Sequence, residues 1–299
     1  MEVVIVGAGS IGLLIGSYLG RFDCNITFLV RREEQAESIR EKGIQYIGEN
    51  GIRETIRANA CTQIENVPVE AHWIVAVKFN GVASVLERLK SEKLDPPLLF
   101  VQNGIGHLEM IANTELSNVF VATVEHGAAR LNDYTVSHNG VGLTKVACFR
   151  GVPTTFDFLK QLQTHTFPIE FSEGAQDILL RKVLINCAIN PLTAILQVNN
   201  GHLIENDFAH ALLSQLYDEL ISAFPEMQKE LPKSAIEDVC KRTARNESSM
   251  LKDRNSGRPM EIETIVSAVI ALAAQRDKPL PFLQTMEKML RVMDGGEPY

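Results

Sequence analysis

The rhythm of hydrophobic and polar positions changes once along this chain. Up to about residue 172 the apolar residues come in short continuous runs, Glu2 to Val6, Asn25 to Val30, Trp73 to Val77, Leu98 to Val101 and Phe120 to Thr123. Such β-branched and aliphatic runs are expected of strands buried on both faces of a parallel sheet. Tyr134 to Val136 and Leu143 to Cys148, separated by the turn-prone pair Asn139-Gly140, read as a closing pair of strands. Beyond residue 172 the period becomes helical, over about 175–196, 205–223, 233–246, 260–275 and 281–294. Pro225, Pro232, Pro259, Pro279 and Pro281 punctuate those helices, and Ser172 or Asp177 suits the N-cap of the first. The pattern divides the chain into an α/β domain over 1–172 and an all-helical domain over 173–299.

One helix has a polar face that does not suit a surface. In Arg181 to Ile195, Lys182, Asn186 and Asn190 recur at i, i+4 and i+8 and stack along a single stripe. Val183, Leu184, Ile185, Cys187, Ala188 and Ile189 make nearly every other side apolar, which predicts a buried helix. A lysine is rarely buried without a partner, and buried amides need hydrogen bonds. One cation and two amides therefore point to a ligand rich in oxygen; the plain alternative is a snorkelling lysine with locally bonded asparagines. Pro191 removes a backbone donor and is expected to kink the helix beside Asn190. Cys187 has no basic neighbour and reads as packing.

The first strand runs straight into Gly7, Ala8, Gly9, Ser10, Ile11 and Gly12, then a helical stretch and a second strand. This is the context the dinucleotide fingerprint requires, and it predicts a Rossmann-type fold, a mostly parallel sheet with helices on both faces. Gly7 permits the turn, Gly9 lets the backbone approach a pyrophosphate, and Gly12 allows close helix packing. After the second strand, where an NAD site places an acidic residue, stand Arg31 and Arg32. A guanidinium suits a 2′-phosphate, which favours NADP; the alternative is a solvated pair offset by Glu33 and Glu34. Lys78 and Asn103 end the third and fourth strands, at the sheet edge where such folds bind ligands. Asn103-Gly104 is also ordinary turn chemistry. His126 reads as structural. Asn199-Asn200-Gly201 would lend an amide from a loop; Glu261 and Glu263 open an apolar helix, where the dipole alone favours acidic residues and a role in the site is the other reading.

Composition narrows the function class. At 299 residues, with 45% hydrophobic and 22% charged residues, the chain reads as a two-domain globular protein. A net charge of −8 argues against nucleic acid as a partner. Five scattered cysteines without a C-x-x-C pair indicate reduced thiols rather than a disulfide framework or a metal site. No apolar run reaches the ~18 residues of a membrane helix, and no signal peptide is evident, so a cytoplasmic location and no membrane contact are expected.

Taken together, these stretches resemble the ketopantoate reductases (2-dehydropantoate 2-reductases) over essentially the whole chain. The likeness rests on GAGSIG, Arg31, VKFN around Lys78, QNGIG around Asn103, EHGAAR, RKVLINCAINPLTAI, NNGHL, and SSMLKDR with Glu261 beyond it. It implies reduction of the small 2-oxo acid 2-dehydropantoate to (R)-pantoate by NADPH, a step toward pantothenate and coenzyme A. It makes 1–172 the NADP-binding domain and 173–299 the substrate-binding and catalytic one, with substrate between them. By the same resemblance Lys182 would donate the proton, and Asn103, Asn186, Asn190, Asn200 and Ser249 would hold substrate. Gly7, Ala8, Gly9, Ser10, Ile11, Gly12, Arg31, Lys78, Asn103, Ala128 and Glu261 would contact the cofactor, with Ala129 in place of Ala128 if the motif is aligned one residue later. No metal is implied. Two other readings use the same scaffold: a reductase of another small 2-oxo acid, and a non-catalytic NADPH sensor. The apolar 262–275 helix would also suit a homodimer through the helical domain.

Overall fold

A computed structural model describes residues 1–295. Its contacts group the chain into two compact units. The first is Met1–Asn103 with His107–Ile178; the second begins at Leu179 and takes in Gly104–Gly106. By contacts the division falls inside a helix, and the three residues Gly104–Gly106, just past the strand Leu98–Phe100, group with the helical unit.

In the first unit the elements run β1 (Glu2–Val6), α1 (Ser10–Leu19), β2 (Asn25–Leu29), α2 (Glu33–Lys42), β3 (Ile44–Ile47), β4 (Arg53–Ile56), β5 (Asn59–Cys61), β6 (His72–Val75), α3 (Val82–Ser91), β7 (Leu98–Phe100), α4 (His107–Ala112), β8 (Val119–Val124), β9 (Gly127–Arg130), β10 (Thr135–Gly140), β11 (Thr144–Arg150) and β12 (Ile169–Ser172). Eight strands form one sheet in the order β12-β11-β8-β7-β6-β1-β2-β5, parallel from β8 to β5, with β11 antiparallel to β8. The continuous apolar runs seen in the sequence are its central strands, and Val3, Val4, Ile5, Ile74 and Phe100 are wholly buried. Chain order reverses on either side of β1, so the carboxyl ends of β1 and β6 frame the crevice where such sheets bind ligands.

A second sheet, β4-β3-β10-β9, was not expected. Its strands are short and largely polar, as in RETI and GAAR, and carry little period-2 apolar signal. The expected closing pair is corrected accordingly. β10 joins the small sheet and β11 the large one, and Asn139-Gly140 is a register irregularity within β10, not a turn between partners.

The second unit contains most of α5 (Ala175–Leu196), then α6 (His202–Glu205), α7 (Asp207–Ala223), α8 (Lys233–Arg242), α9 (Ser249–Asn255), a π-helical turn at Glu263–Ser267, α10 (Ala268–Ala274) and α11 (Pro281–Met293). Neither expected cap starts α5: Ser172 ends β12, and Asp177 lies within the first helical turn. α5 is 22 residues long with a mean hydropathy of 1.4 over its most apolar window, so an apolar run long enough for a membrane does exist. That window is 78% buried inside the fold, as in the central helix of a helical core. Ile262, Ile265, Val266, Val269 and Ala273 also pack into that core.

Candidate active site

The glycine turn after β1 uses its three glycines for three different reasons. Gly7 has φ +98°, and a Cβ there would press on Val77 at 3.0 Å. A Cβ on Gly12 would lie 2.1 Å from the Gly7 carbonyl oxygen, so the fold itself requires glycine there. Gly9 is different. Its φ is −80°, and a Cβ would meet nothing within 4 Å. Protein packing leaves this position open, as needed where a ligand approaches the backbone. Gly9 is also the N-cap of α1, with no side-chain cap bond and no acidic residue in the first turn. The dipole end and the first N–H groups of α1 are therefore available to an anion. Gln35, buried on α2, donates to the carbonyls of Ala8 at 3.1 Å and Asp133 at 3.0 Å and so anchors the turn.

The two arginines after β2 separate in the structure. Arg32 is tied to Asp133, while Glu33 pairs with Arg40 and Thr62. The Arg40 guanidinium, through its hydrogen bond, holds the Glu33 carboxyl below its usual range. Neither partner involves Arg31, which is exposed and makes no ion pair among the described residues. Lys78 is exposed just past β6, and Asn103 is half-buried just past β7. Between them Gln102 donates to the carbonyls of Val75 at 2.7 Å and Val77 at 2.9 Å, fixing the two strand ends against each other. Ala128 packs against the core of this unit, and on β9 Ala129 alternates to the other face.

His126 belongs to a buried cluster. It stacks on Phe167, with ring centroids 4.4 Å apart, and its Nδ1 accepts from the Gly142 N–H at 3.2 Å. His138 Nε2, 3.0 Å from the same atom, must then be the donor. On the other side His138 Nδ1, Tyr18 Oη and Tyr46 Oη lie within 3.1–3.2 Å of one another. Burial lowers the pKa of His138, opposed chiefly by Glu49. The cluster joins α1 to β3 and β10.

In the helical unit the stripe on α5 runs inward. Lys182 and Asn186 are half-buried and Asn190 is 5% exposed. Asn190 Nδ2 donates to Ser249 Oγ at 3.3 Å, which brings together two of the residues singled out from sequence. One turn along, the Thr193 hydroxyl donates to Ser248 Oγ at 2.7 Å, and Arg254 donates to the Ala194 carbonyl. Positions 190, 193 and 194 share a face, and together they clamp α9 to α5. Asn200 is buried, donating from Nδ2 to Thr243 Oγ1 at 2.9 Å and from its backbone to the Asn246 carbonyl at 3.0 Å. Its Oδ1 has no partner among the described residues. Glu261 is half-buried at the entry to the π-helical turn, and its carbonyl accepts from Ile265 N at 3.3 Å. Cys187 is wholly buried, and burial, then the charge of Glu219, raise its pKa, as expected of a packing thiol. Among the described residues no group of histidine, cysteine and carboxylate side chains is arranged to hold a metal.

Four supporting residues went unremarked in the sequence: Gln35, Gln102, Thr193 and Ser248. Ser248 carried a readable signal, since a serine before a short apolar turn is a preferred N-cap, and it accepts from Leu251 N at 3.1 Å. Gln102 and Thr193 stand within motifs already quoted. Gln35 had none, because its partners are carbonyls distant in sequence.

The chain matches the family described as "Ketopantoate reductase PanE/ApbA" over residues 3–151, and that family's C-terminal domain over residues 175–294. A 2-dehydropantoate 2-reductase of Listeria innocua is 35% identical over 99% of this chain and 97% of its own. One from Bacillus subtilis is 32% identical over 92% of this chain and 91% of its own. The crystal structure of a probable 2-dehydropantoate 2-reductase from Bacillus subtilis superposes with a TM-score of 0.89 at 30% identity, covering 98% of this chain and all of that one. With both domain matches in place and full-length relatives at this identity, the chain belongs to the ketopantoate reductase family.

Proposed function

We propose that this protein reduces 2-dehydropantoate to (R)-pantoate, using NADPH. The observation that carries the reading is the stripe of Lys182, Asn186 and Asn190 along a buried apolar helix, its inner end bonded to Ser249. A cation and two amides along one stripe suit a substrate with a carbonyl, a hydroxyl and a carboxylate.

NADPH, when bound, supplies the hydride equivalent that reduces the C2 carbonyl. The chain's own residues do the rest. Lys182 Nζ hydrogen-bonds the carbonyl oxygen, stabilises the negative charge that develops on it, and delivers the proton that makes it a hydroxyl. Asn186 and Asn190 bind the substrate's hydroxyl and carboxylate oxygens without offering a competing acid. Ser249 Oγ accepts from Asn190, so its own proton is left to donate to the carboxylate. Asn103 and Asn200 add amides. On the cofactor side, residues 7–12 with the α1 N-terminus suit the pyrophosphate, and Arg31 suits the 2′-phosphate. Lys78, Asn103, Ala128 and Glu261 complete the cofactor set; on β9 the inward turn of the Ala128 methyl leaves its backbone as the contacting part.

The direct test is Lys182→Ala. Turnover is expected to fall by at least ~10²-fold while thermal stability and NADPH binding are retained. Near wild-type turnover would remove Lys182 as the acid.

A further inference from the structure

α9 is only 7 residues long, and isolated helices of that length do not hold themselves together in water. Its position must come from tertiary contacts: Met250 joins the hydrophobic core, and polar bonds tie the start and end of α9 to α5. Ser248, 5% exposed, is its N-cap; its Oγ accepts from Leu251 N at 3.1 Å and from the Thr193 hydroxyl at 2.7 Å, so both lone pairs are occupied. Thr193 is wholly buried, and its hydroxyl also lies 3.0 Å from the carbonyls of Ile189 and Asn190. A β-branched residue in a helix interior is a poorer helix former than alanine or leucine. What it contributes here is the contact with Ser248, next in sequence to Ser249 and one turn along α5 from Asn190.

We propose that Thr193 and Ser248 are positioning residues for the reaction: their hydroxyl pair fixes the start of α9 so that Ser249 Oγ stays against Asn190 Nδ2. The substrate then meets a preset amide–hydroxyl pair. This rests on the assignment of Asn190 and Ser249 to the substrate. A merely structural cap would hold the helix with no consequence for binding of the oxo acid.

The experiment compares Thr193→Val, which keeps the shape and removes the hydroxyl, with Thr193→Ser, which keeps the hydroxyl. Thr193→Val is expected to raise the KM for 2-dehydropantoate about tenfold while kcat changes less than about threefold. NADPH affinity, from a fluorescence titration, is expected to stay within about twofold of wild type, and Thr193→Ser to restore KM to within about twofold. Ser248→Ala, which removes the acceptor from the other side, should raise KM in the same way and serves if Thr193→Val does not fold. A lowered melting temperature with wild-type KM in either variant overturns the proposal. If the wild-type protein does not turn over 2-dehydropantoate, the functional reading fails by itself. The positioning claim is then decided by a crystal structure of Thr193→Val. Ser249 Oγ moved beyond about 3.5 Å from Asn190 Nδ2 supports it, and an unchanged contact overturns it.

Discussion

Gly104 lies backbone to backbone against Thr264: a Cβ added to Gly104 would sit 2.1 Å from the Thr264 carbonyl oxygen, and Gly104 has φ +80°. The contact joins the residue after Asn103 to the π-helical turn after Glu261. Such turns are rare and recur at functional sites. Gly104→Ala adds backbone strain to a collision with main chain, and we expect it to cost about 2–3 kcal/mol in urea unfolding. An unchanged unfolding midpoint would contradict this packing.

The glycine turn makes an opposed pair of predictions. Gly9→Ala has room for its methyl, so the fold is expected to survive while NADPH affinity falls by about tenfold or more, because the methyl would enter the space proposed for the phosphates. Gly12→Ala collides with Gly7 O and is expected to lower stability itself. Titration of both variants with NADPH, alongside their melting curves, checks the contrast. Gly9→Ala with wild-type NADPH affinity would exclude the turn as the phosphate site.

The proposed preference for NADPH assigns selectivity between cofactors to Arg31, because Arg32 is engaged with Asp133. Arg31→Ala removes a charge-assisted contact worth about 1.5–3 kcal/mol, so the KM for NADPH should rise about tenfold or more while that for NADH barely moves. Equal changes for both cofactors would refute the assignment.

His107 offers a pH test of the fold. It is fully buried, neither ring nitrogen has a partner among the described residues, and burial pushes its pKa down to about 4 from 6.5. The folded state therefore disfavours the protonated ring, and the unfolded chain binds that proton more readily. The stability this represents is fully present above pH 6.5 and is lost as pH falls toward 4, by roughly 3 kcal/mol in total. His107→Leu is expected to flatten the dependence of unfolding free energy on pH across that window. An unaltered slope would show that His107 does not titrate this way.

How much of this was legible in the sequence depended on how local the physics was. β1, the glycine turn and α1 follow one another in the chain, so their geometry could be read from spacing, down to the separate duties of Gly7 and Gly12. The Lys182 stripe was equally readable, since helical period puts i, i+4 and i+8 together whatever the surroundings. The small sheet was not, because β3 and β10 are about ninety residues apart and pair in parallel with little apolar alternation. The same distance hid the bond between Tyr46 and His138 and the grip of Gln35 on Asp133. Asn190 and Ser249 were each visible; their contact across 59 residues was not.

The central claim is most directly tested by following NADPH oxidation with 2-dehydropantoate, in parallel with 2-oxoisovalerate, pyruvate and an NADH control. The account expects fast turnover with 2-dehydropantoate and NADPH, and little with the other acids or with NADH. Preferred turnover of another oxo acid would keep the mechanism and change the substrate. Silence with every acid, despite tight NADPH binding, would contradict the account and leave a cofactor-binding protein without this chemistry.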